Sequence, residues 1–418
     1  MILHCHSVRC FNHTLQLSTK TLLCPFNVGL GKTTEDGNNN DVDDLLDADE
    51  NGLDEDDNDN DNGDDDDSLL IVLDVDDIDD GVDKLDGLDA DEREEIIADT
   101  TAVREVVSKL RHLAFSIVQS TTIALPAWRH YCKELKLKSR ILPHDVVTRW
   151  NSTYYMLSFA IRYCALIDAM TADKSLKLRR FELETEEWAI AEDLVAILLQ
   201  YKNTTLFFSQ DCASVAAVIP AMDRITSNLN NQTGKAYHPS LMVAMKLAHK
   251  KMDHYYSLTD SSNVYCIAMV LHPGMKLEYF HNQKWECEWI EEADTLVRRE
   301  YAVMYEKAVD KSNMAPSNKS NLNKLNMNDG FAWFSNLSVI TCPHASEIQE
   351  YLSLPVENVK DPLKWWIDNK HIYLNLHRMA LDYLSIPATS TAVEQVFLQG
   401  HHLLPFSVLK SGPVWFFG

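Results

Sequence analysis

Four short runs in this 418-residue chain carry side chains that could do chemistry. Near its end, Ile386-Pro387-Ala388-Thr389-Ser390-Thr391-Ala392-Val393-Glu394-Gln395-Val396-Phe397 places a carboxylate in a run whose Pro and Thr/Ser cluster mark a helix start. Val393, Val396 and Phe397 then share one apolar face, which holds Glu394 at a defined place beside buried surface; a lone acid so placed is in most proteins simply solvated. Asp145-Val146-Val147-Thr148-Arg149-Trp150-Asn151-Ser152-Thr153 sets a guanidinium beside an indole. On residue chemistry alone, Trp150 is a core aromatic ahead of a helix and Arg149 faces solvent. Cys10-x2-His13, with His4, Cys5 and His6 nearby, is half of a zinc site, but no second paired spacing follows to supply the remaining ligands. Gly29-Leu30-Gly31-Lys32-Thr33-Thr34 evokes a phosphate-binding loop, yet Phe26 stands where the motif needs Gly and an acidic segment follows instead of a helix.

Composition bounds what these residues can serve. The length and a 45% hydrophobic content are enough for two compact regions with sizeable cores. No run of eighteen apolar residues occurs, so no membrane partner is expected. The first residues lack a charged stretch followed by a long apolar one, which argues against a secretory signal and leaves the Asn151-Ser152-Thr153 sequon without a route to glycosylation. Nine cysteines without paired spacing fit reduced thiols in cytosol or nucleus. The net charge of −25 is concentrated: residues 35–99 hold about 31 acids against Lys84 and Arg93, leaving that segment near −29 and the remainder near +4. The acidic balance therefore belongs to one insert and says little about the surface that nucleic acid would meet.

Five segments follow from these shifts. Residues 1–34 carry the Cys10/His13 block, and 35–99 form an acidic insert whose chain entropy and self-repulsion exceed what its few apolar residues could offset, so disorder is expected. Residues 100–309 read as helix after helix. Val103, Val106, Val107, Leu110, Ala114, Ile117 and Val118 recur at helical steps, as do Tyr154, Leu157, Ile161, Cys164 and Ile167 behind the cap candidate Asn151. Further periodic runs cover 184–203, 212–229, 240–256 and 286–308. Residues 310–330, rich in Asn, Ser and Lys, read as a linker. In 331–418, short helices are expected near 344–352, 361–369 and 371–385, the second with Pro362 at its first position. Strand signal is thin, and its best candidates are 9–17 and 264–271.

Several of these runs share a resemblance. The block around Glu394, the Arg149-Trp150 run, the Cys10-x2-His13 run and the segment holding Asp361-Pro362-Leu363-Lys364-Trp365-Trp366 and Tyr383-Leu384 together resemble the hAT family of DNA transposases. The resemblance implies that Glu394 matches the last of three catalytic carboxylates, that His13 lies near the active site, and that Trp150 stacks on an extruded base while Arg149 meets phosphate. It implies a C-terminal dimerisation module as well. Gln395, Leu398 and His401 depart from the residues common in the family, and the family's two catalytic Asp belong upstream of the Cys10/His13 block. Two-metal phosphoryl transfer needs several converging carboxylates, so Glu394 alone cannot perform it.

The expected fold is mainly α: a helical insertion domain, a remnant of an RNase H-like catalytic domain, and C-terminal dimerisation helices. The expected function is that of a truncated, hAT transposase-derived protein that dimerises in the nucleus and does not cut DNA. No cofactor is expected, with Mg²⁺ entering only if an upstream region supplies the missing Asp. An active transposase completed by such a region and a helical interaction scaffold are the competing readings. DNA is a further partner, through Arg149 and Trp150. Leu69, Leu70, Ile71, Val72 and Leu73, an aliphatic run between acids, resemble motifs that add a strand to a small ubiquitin-like modifier.

Overall fold

The stretch Thr101–Gln119 shows why this chain is helical: Val103, Val106, Val107, Leu110, Leu113, Ala114 and Ile117 recur at three- and four-residue steps, and all are buried. The same logic repeats along the computed structural model, which describes residues 9–27, 89–146, 149–210, 213–231, 234–260, 262–306 and 346–390. Its helices are α1 (Phe11–Leu23), α2 (Ala90–Asp99), α3 (Thr101–Gln119), α4 (Ala124–Glu134), α5 (Trp150–Arg162), α6 (Cys164–Ala172), α7 (Thr185–Phe208), α8 (Val218–Leu229), α9 (Pro239–Thr259), α10 (Asn263–Leu271), α11 (Glu278–Asn282), α12 (Cys287–Glu300), α13 (Glu347–Ser353), α14 (Pro362–Asp368) and α15 (Leu376–Leu384). Among the described residues there is no strand, only an isolated bridge between Ser214 and Pro387. The mainly α class is as expected.

The chain divides into two compact units. One takes Arg9–Ala213 and Ile219–Leu258 together with residues 389–390. Its axis is α7, 24 residues long, which buries Ile190, Ala191, Leu194, Ile197, Leu198, Tyr201, Thr205 and Phe208 along one stripe. Helices α1, α3 and α5 pack on it. Ser18 ties three helices at one point, sharing a 2.8 Å hydrogen bond with the Tyr201 hydroxyl of α7 and donating to the Ala248 carbonyl of α9 at 3.2 Å. Burial pushes the Tyr201 phenol far up, so it stays a neutral hydrogen-bonding group.

The other unit takes Ser214–Val218 and Thr259–Ala388. Helix α10 lies at its centre with seven of its nine residues buried, packed by α12, α15 and the 3₁₀ turn Val215–Ala217. This is one of the two candidate strands, and it is helical. A continuous apolar run carries no periodicity, so a strand and a helix buried on all sides read alike. The other candidate, 9–17, is also helical: α1 buries Phe11, Thr14, Leu15, Ser18 and Leu22, a helical stripe in which two members are polar and therefore escape an apolar pattern.

Three further differences are local. The periodic run 154–167 breaks at Tyr163, where α5 ends and α6 begins, and Arg149 rather than Asn151 occupies the N-cap position. Helix α2 lies inside the acidic stretch 35–99. Its start is fixed by a capping box: Asp89 Oδ1 accepts from the Glu92 amide at 2.8 Å, and Glu92 Oε2 accepts from the Asp89 amide at 3.4 Å. Helix α12 ends in a π-turn, Tyr301–Tyr305. The expected linker 310–330 lies outside the described residues.

Candidate functional site

Cys10 is the N-cap of α1, and His13 follows in the first turn, exposed. The Cys10 Sγ accepts from the amide of Ser390 at 3.5 Å and from its hydroxyl at 3.3 Å, across 380 residues of sequence. Next to this contact, Thr389 Oγ1 donates to the Phe208 carbonyl at 3.1 Å, and the Phe11 and Phe208 rings meet edge-on at 4.6 Å. Asn12 Nδ2 donates to Ser209 Oγ at 3.4 Å. The start of α1, the end of α7 and the Thr389-Ser390 pair therefore meet at one place. The head of the run that leads to Glu394 is brought beside the Cys10/His13 block, four residues before the carboxylate itself. Glu394, like residues 69–73, lies outside the described residues.

Arg149 and Trp150 belong to a second cluster whose hub is Asp145. The Asp145 side chain is fully buried and its Oδ2 accepts from Arg111 Nε of α3 at 2.5 Å, while Arg111 Nη2 donates to Asn27 Oδ1 at 2.8 Å. Its other oxygen accepts from Ser152 Oγ at 2.6 Å and Thr153 Oγ1 at 3.0 Å. Ser152 Oγ also accepts from the Val146 amide at 2.8 Å, so the carboxylate and two hydroxyls clamp the turn into α5. Charge-assisted bonds of this kind are the strong ones, and every oxygen here is used. The clamp fixes Arg149 exposed on the last residue before the helix and Trp150 as its first residue, only 4% exposed. Stacking on a base needs an accessible indole face, which this packing covers.

Sequence reasoning overlooked Arg111 and gave Asp145 no role. The available signal was an arginine directly after Leu110, inside the stripe of α3 that faces the core. Among the described residues no group of three or more His, Cys, Asp or Glu side chains could hold a metal ion. The described side chains thus do not fit a two-metal centre.

Comparison with known proteins now adds to this geometry. Residues 347–408 match the model of the hAT family C-terminal dimerisation region, which takes in α13, α14 and α15. Residues 94–197 match that of the ZBED1 RNase-like helical domain, which takes in α3 to α6 and the Asp145 clamp. These two segments are similar to proteins of the hAT transposase family. Three proteins are similar over more of the chain. "Putative transcriptional regulator tpeD" of Talaromyces stipitatus is 27% identical over 304 residues, covering 70% of this chain and 32% of that protein. The zinc finger BED domain-containing protein DAYSLEEPER of Arabidopsis thaliana is 27% identical over 267 residues, 62% of this chain and 37% of that one. The "Putative AC transposase" of Zea mays is 26% identical over 288 residues, 63% and 34%. This hAT-related chain therefore spans about a third of the length of the curated relatives it matches.

Proposed function

We propose that this hAT-related chain acts by self-association through the dimerisation region, in the nucleus, and that as it stands it cuts no DNA. The observation that supports this reading is the surface around the turn joining α14 to α15. Trp366 and Tyr373 are buried, at 0% and 2% exposure, while their neighbours Ile367, Ile372 and Leu374 are 49%, 47% and 64% exposed. The aromatic pair anchors the turn inside its own unit. Trp366 Nε1 donates to the Leu271 carbonyl at 2.9 Å, and the Tyr351 ring lies 4.8 Å from that of Trp366. Three aliphatic side chains within eight residues are thus held outward by a rigid aromatic base, inside a segment that matches a dimerisation region. Burying them against a second copy removes apolar surface from water on both sides.

Light scattering of the whole chain at micromolar concentration tests this. A dimer or higher oligomer is expected, and Ile367→Ser, Ile372→Ser and Leu374→Ser together should shift it to monomer with the helical signal unchanged. A folded wild-type monomer would sink the reading. The cleavage part rests on the lone Glu394: Mg²⁺-dependent cutting that Glu394→Gln abolishes would overturn it. Contact with DNA at Arg149 is the finer part of the same proposal, supported by its fixed, exposed place at the head of α5.

A further inference from the structure

Between α4 and α5 the chain runs Lys133-Glu134-Leu135-Lys136-Leu137-Lys138-Ser139-Arg140, and Lys133, Lys136, Lys138 and Arg140 are all exposed. This strap is not loose. The Trp128, Phe159 and Tyr163 rings form a stack beneath it, with Phe159 and Tyr163 centred 4.1 Å apart and Trp128 6.0 Å from Tyr163. The stack pins the strap by its backbone: Tyr163 donates its hydroxyl to the Lys138 carbonyl at 2.9 Å, and Trp128 Nε1 donates to the Arg140 carbonyl at 2.8 Å. With both carbonyls anchored, the charged side chains at 138 and 140 are displayed from a fixed frame. Arg162, the exposed last residue of α5, stands beside the same phenol. Burial raises the Tyr163 phenol, and Arg140, Arg162 and Lys138 all pull it back, which places three cations within electrostatic reach of one hydroxyl. Neither Arg140 nor Arg162 has a carboxylate partner among the described residues. The nearby acids sit on the Tyr131 side and are engaged: Glu134 pairs with His130 at 3.2 Å, and Asp173 accepts from the Tyr131 hydroxyl at 3.4 Å.

We infer that the strap and Arg162 form a binding face for the phosphate backbone of nucleic acid, with Lys138, Arg140 and Arg162 as its core. A phosphodiester strand offers repeated charge without side-chain register, which suits cations displayed from a pinned backbone. The face reads no bases, so its contribution is independent of sequence and falls with salt. It belongs to the unit that takes Arg9–Ala213, whereas residues 367–374 belong to the other, and neither proposal depends on the other.

The test uses the full chain and a fluorescein-labelled DNA duplex of arbitrary sequence, with anisotropy titrations from about 50 to 200 mM NaCl. The variant Lys138→Gln, Arg140→Gln, Arg162→Gln leaves both backbone anchors in place. It should weaken binding at least tenfold at the low end and flatten the slope of log affinity against log salt by about 2 to 3. Lys138→Arg, Arg140→Lys, Arg162→Lys keeps the charge and should keep the binding. Lys364→Gln, in the other unit, should change nothing. Wild-type binding that ignores salt, a neutralised variant that binds like wild type, or an equal loss in the charge-keeping variant would each overturn the assignment. Poly-glutamate of matching charge binding as tightly as the duplex would overturn it too, in favour of an acidic protein partner. Oligomeric state should be the same in all variants, so failure here leaves the self-association reading untouched.

Discussion

The residue that carries most structural weight in the run 145–153 is Asp145, not Arg149 or Trp150. Its carboxylate is removed from water and compensated by one guanidinium and two hydroxyls, an arrangement in which deleting one partner strands the other. Asp145→Ala leaves Arg111 charged and buried, so urea denaturation should show a loss of about 3 to 5 kcal/mol. Arg149→Ala, on an exposed cap, should stay within about 0.5 kcal/mol of wild type. Equal effects for the two changes would show that the clamp does not hold the turn. Part of this was legible in sequence: an indole ahead of an amphipathic helix reads as core, and Trp150 is core. The rest was not, because Arg111 and Asp145 are 34 residues apart and a salt bridge between two helices' worth of sequence leaves no periodic trace.

At the scale of elements, helices with a clear apolar stripe were legible and those without one were not. Helix α10, buried on all sides, and the short α4 and α11 fall in the second class. The turn after α10 shows how an element is held by contacts that sequence hides. Lys276, left-handed at φ 49° and 4% exposed, donates Nζ to the carbonyls of Tyr351, Leu354 and Pro355 at 2.8, 2.9 and 3.2 Å, satisfying the open C-terminal end of α13. The Glu357 amide donates to the Pro273 carbonyl at 3.0 Å, and a Cβ on Gly274 would come within 3.0 Å of the Glu357 carbonyl, so this approach needs glycine. The turn is closed by His272, whose Nδ1 accepts from the Gly274 amide at 3.1 Å and is an acceptor only when unprotonated. Burial holds the imidazole below its ordinary 6.5. The unfolded chain thus takes up a proton at higher pH than the folded one, so this stability is complete above about pH 6.5 and is lost as pH falls toward the folded value. Urea midpoints of wild type should drop more steeply between about pH 7 and 5 than those of His272→Asn. Parallel pH profiles would show that His272 contributes nothing to the linkage.

Over the whole molecule, charge is the property that one sequence states most plainly and that a bulk figure hides most easily. The chain carries −25, yet residues 35–88 alone hold about 24 net negative charges, so without them it is close to neutral. A net charge of this size opposes the approach of any phosphate strand to the chain. Like charge raises the local electrostatic cost of bringing a phosphate strand near, and mobile ions screen that cost over about 10 Å at 0.1 M salt. Deleting 35–88 keeps Asp89 and its capping box, and with them the start of α2. The shortened chain should bind an arbitrary DNA duplex about tenfold more tightly than the full chain at roughly 50 mM salt, with the gap closing as salt rises. The comparison separates two roles of charge: neutralising the strap flattens the salt slope, whereas removing the acidic stretch shifts affinity at low salt and leaves the contacts in place. An unchanged dissociation constant at low salt after the deletion would mean that the acidic segment exerts no field on the strap, and that the net charge of this chain has no bearing on what its folded surface binds.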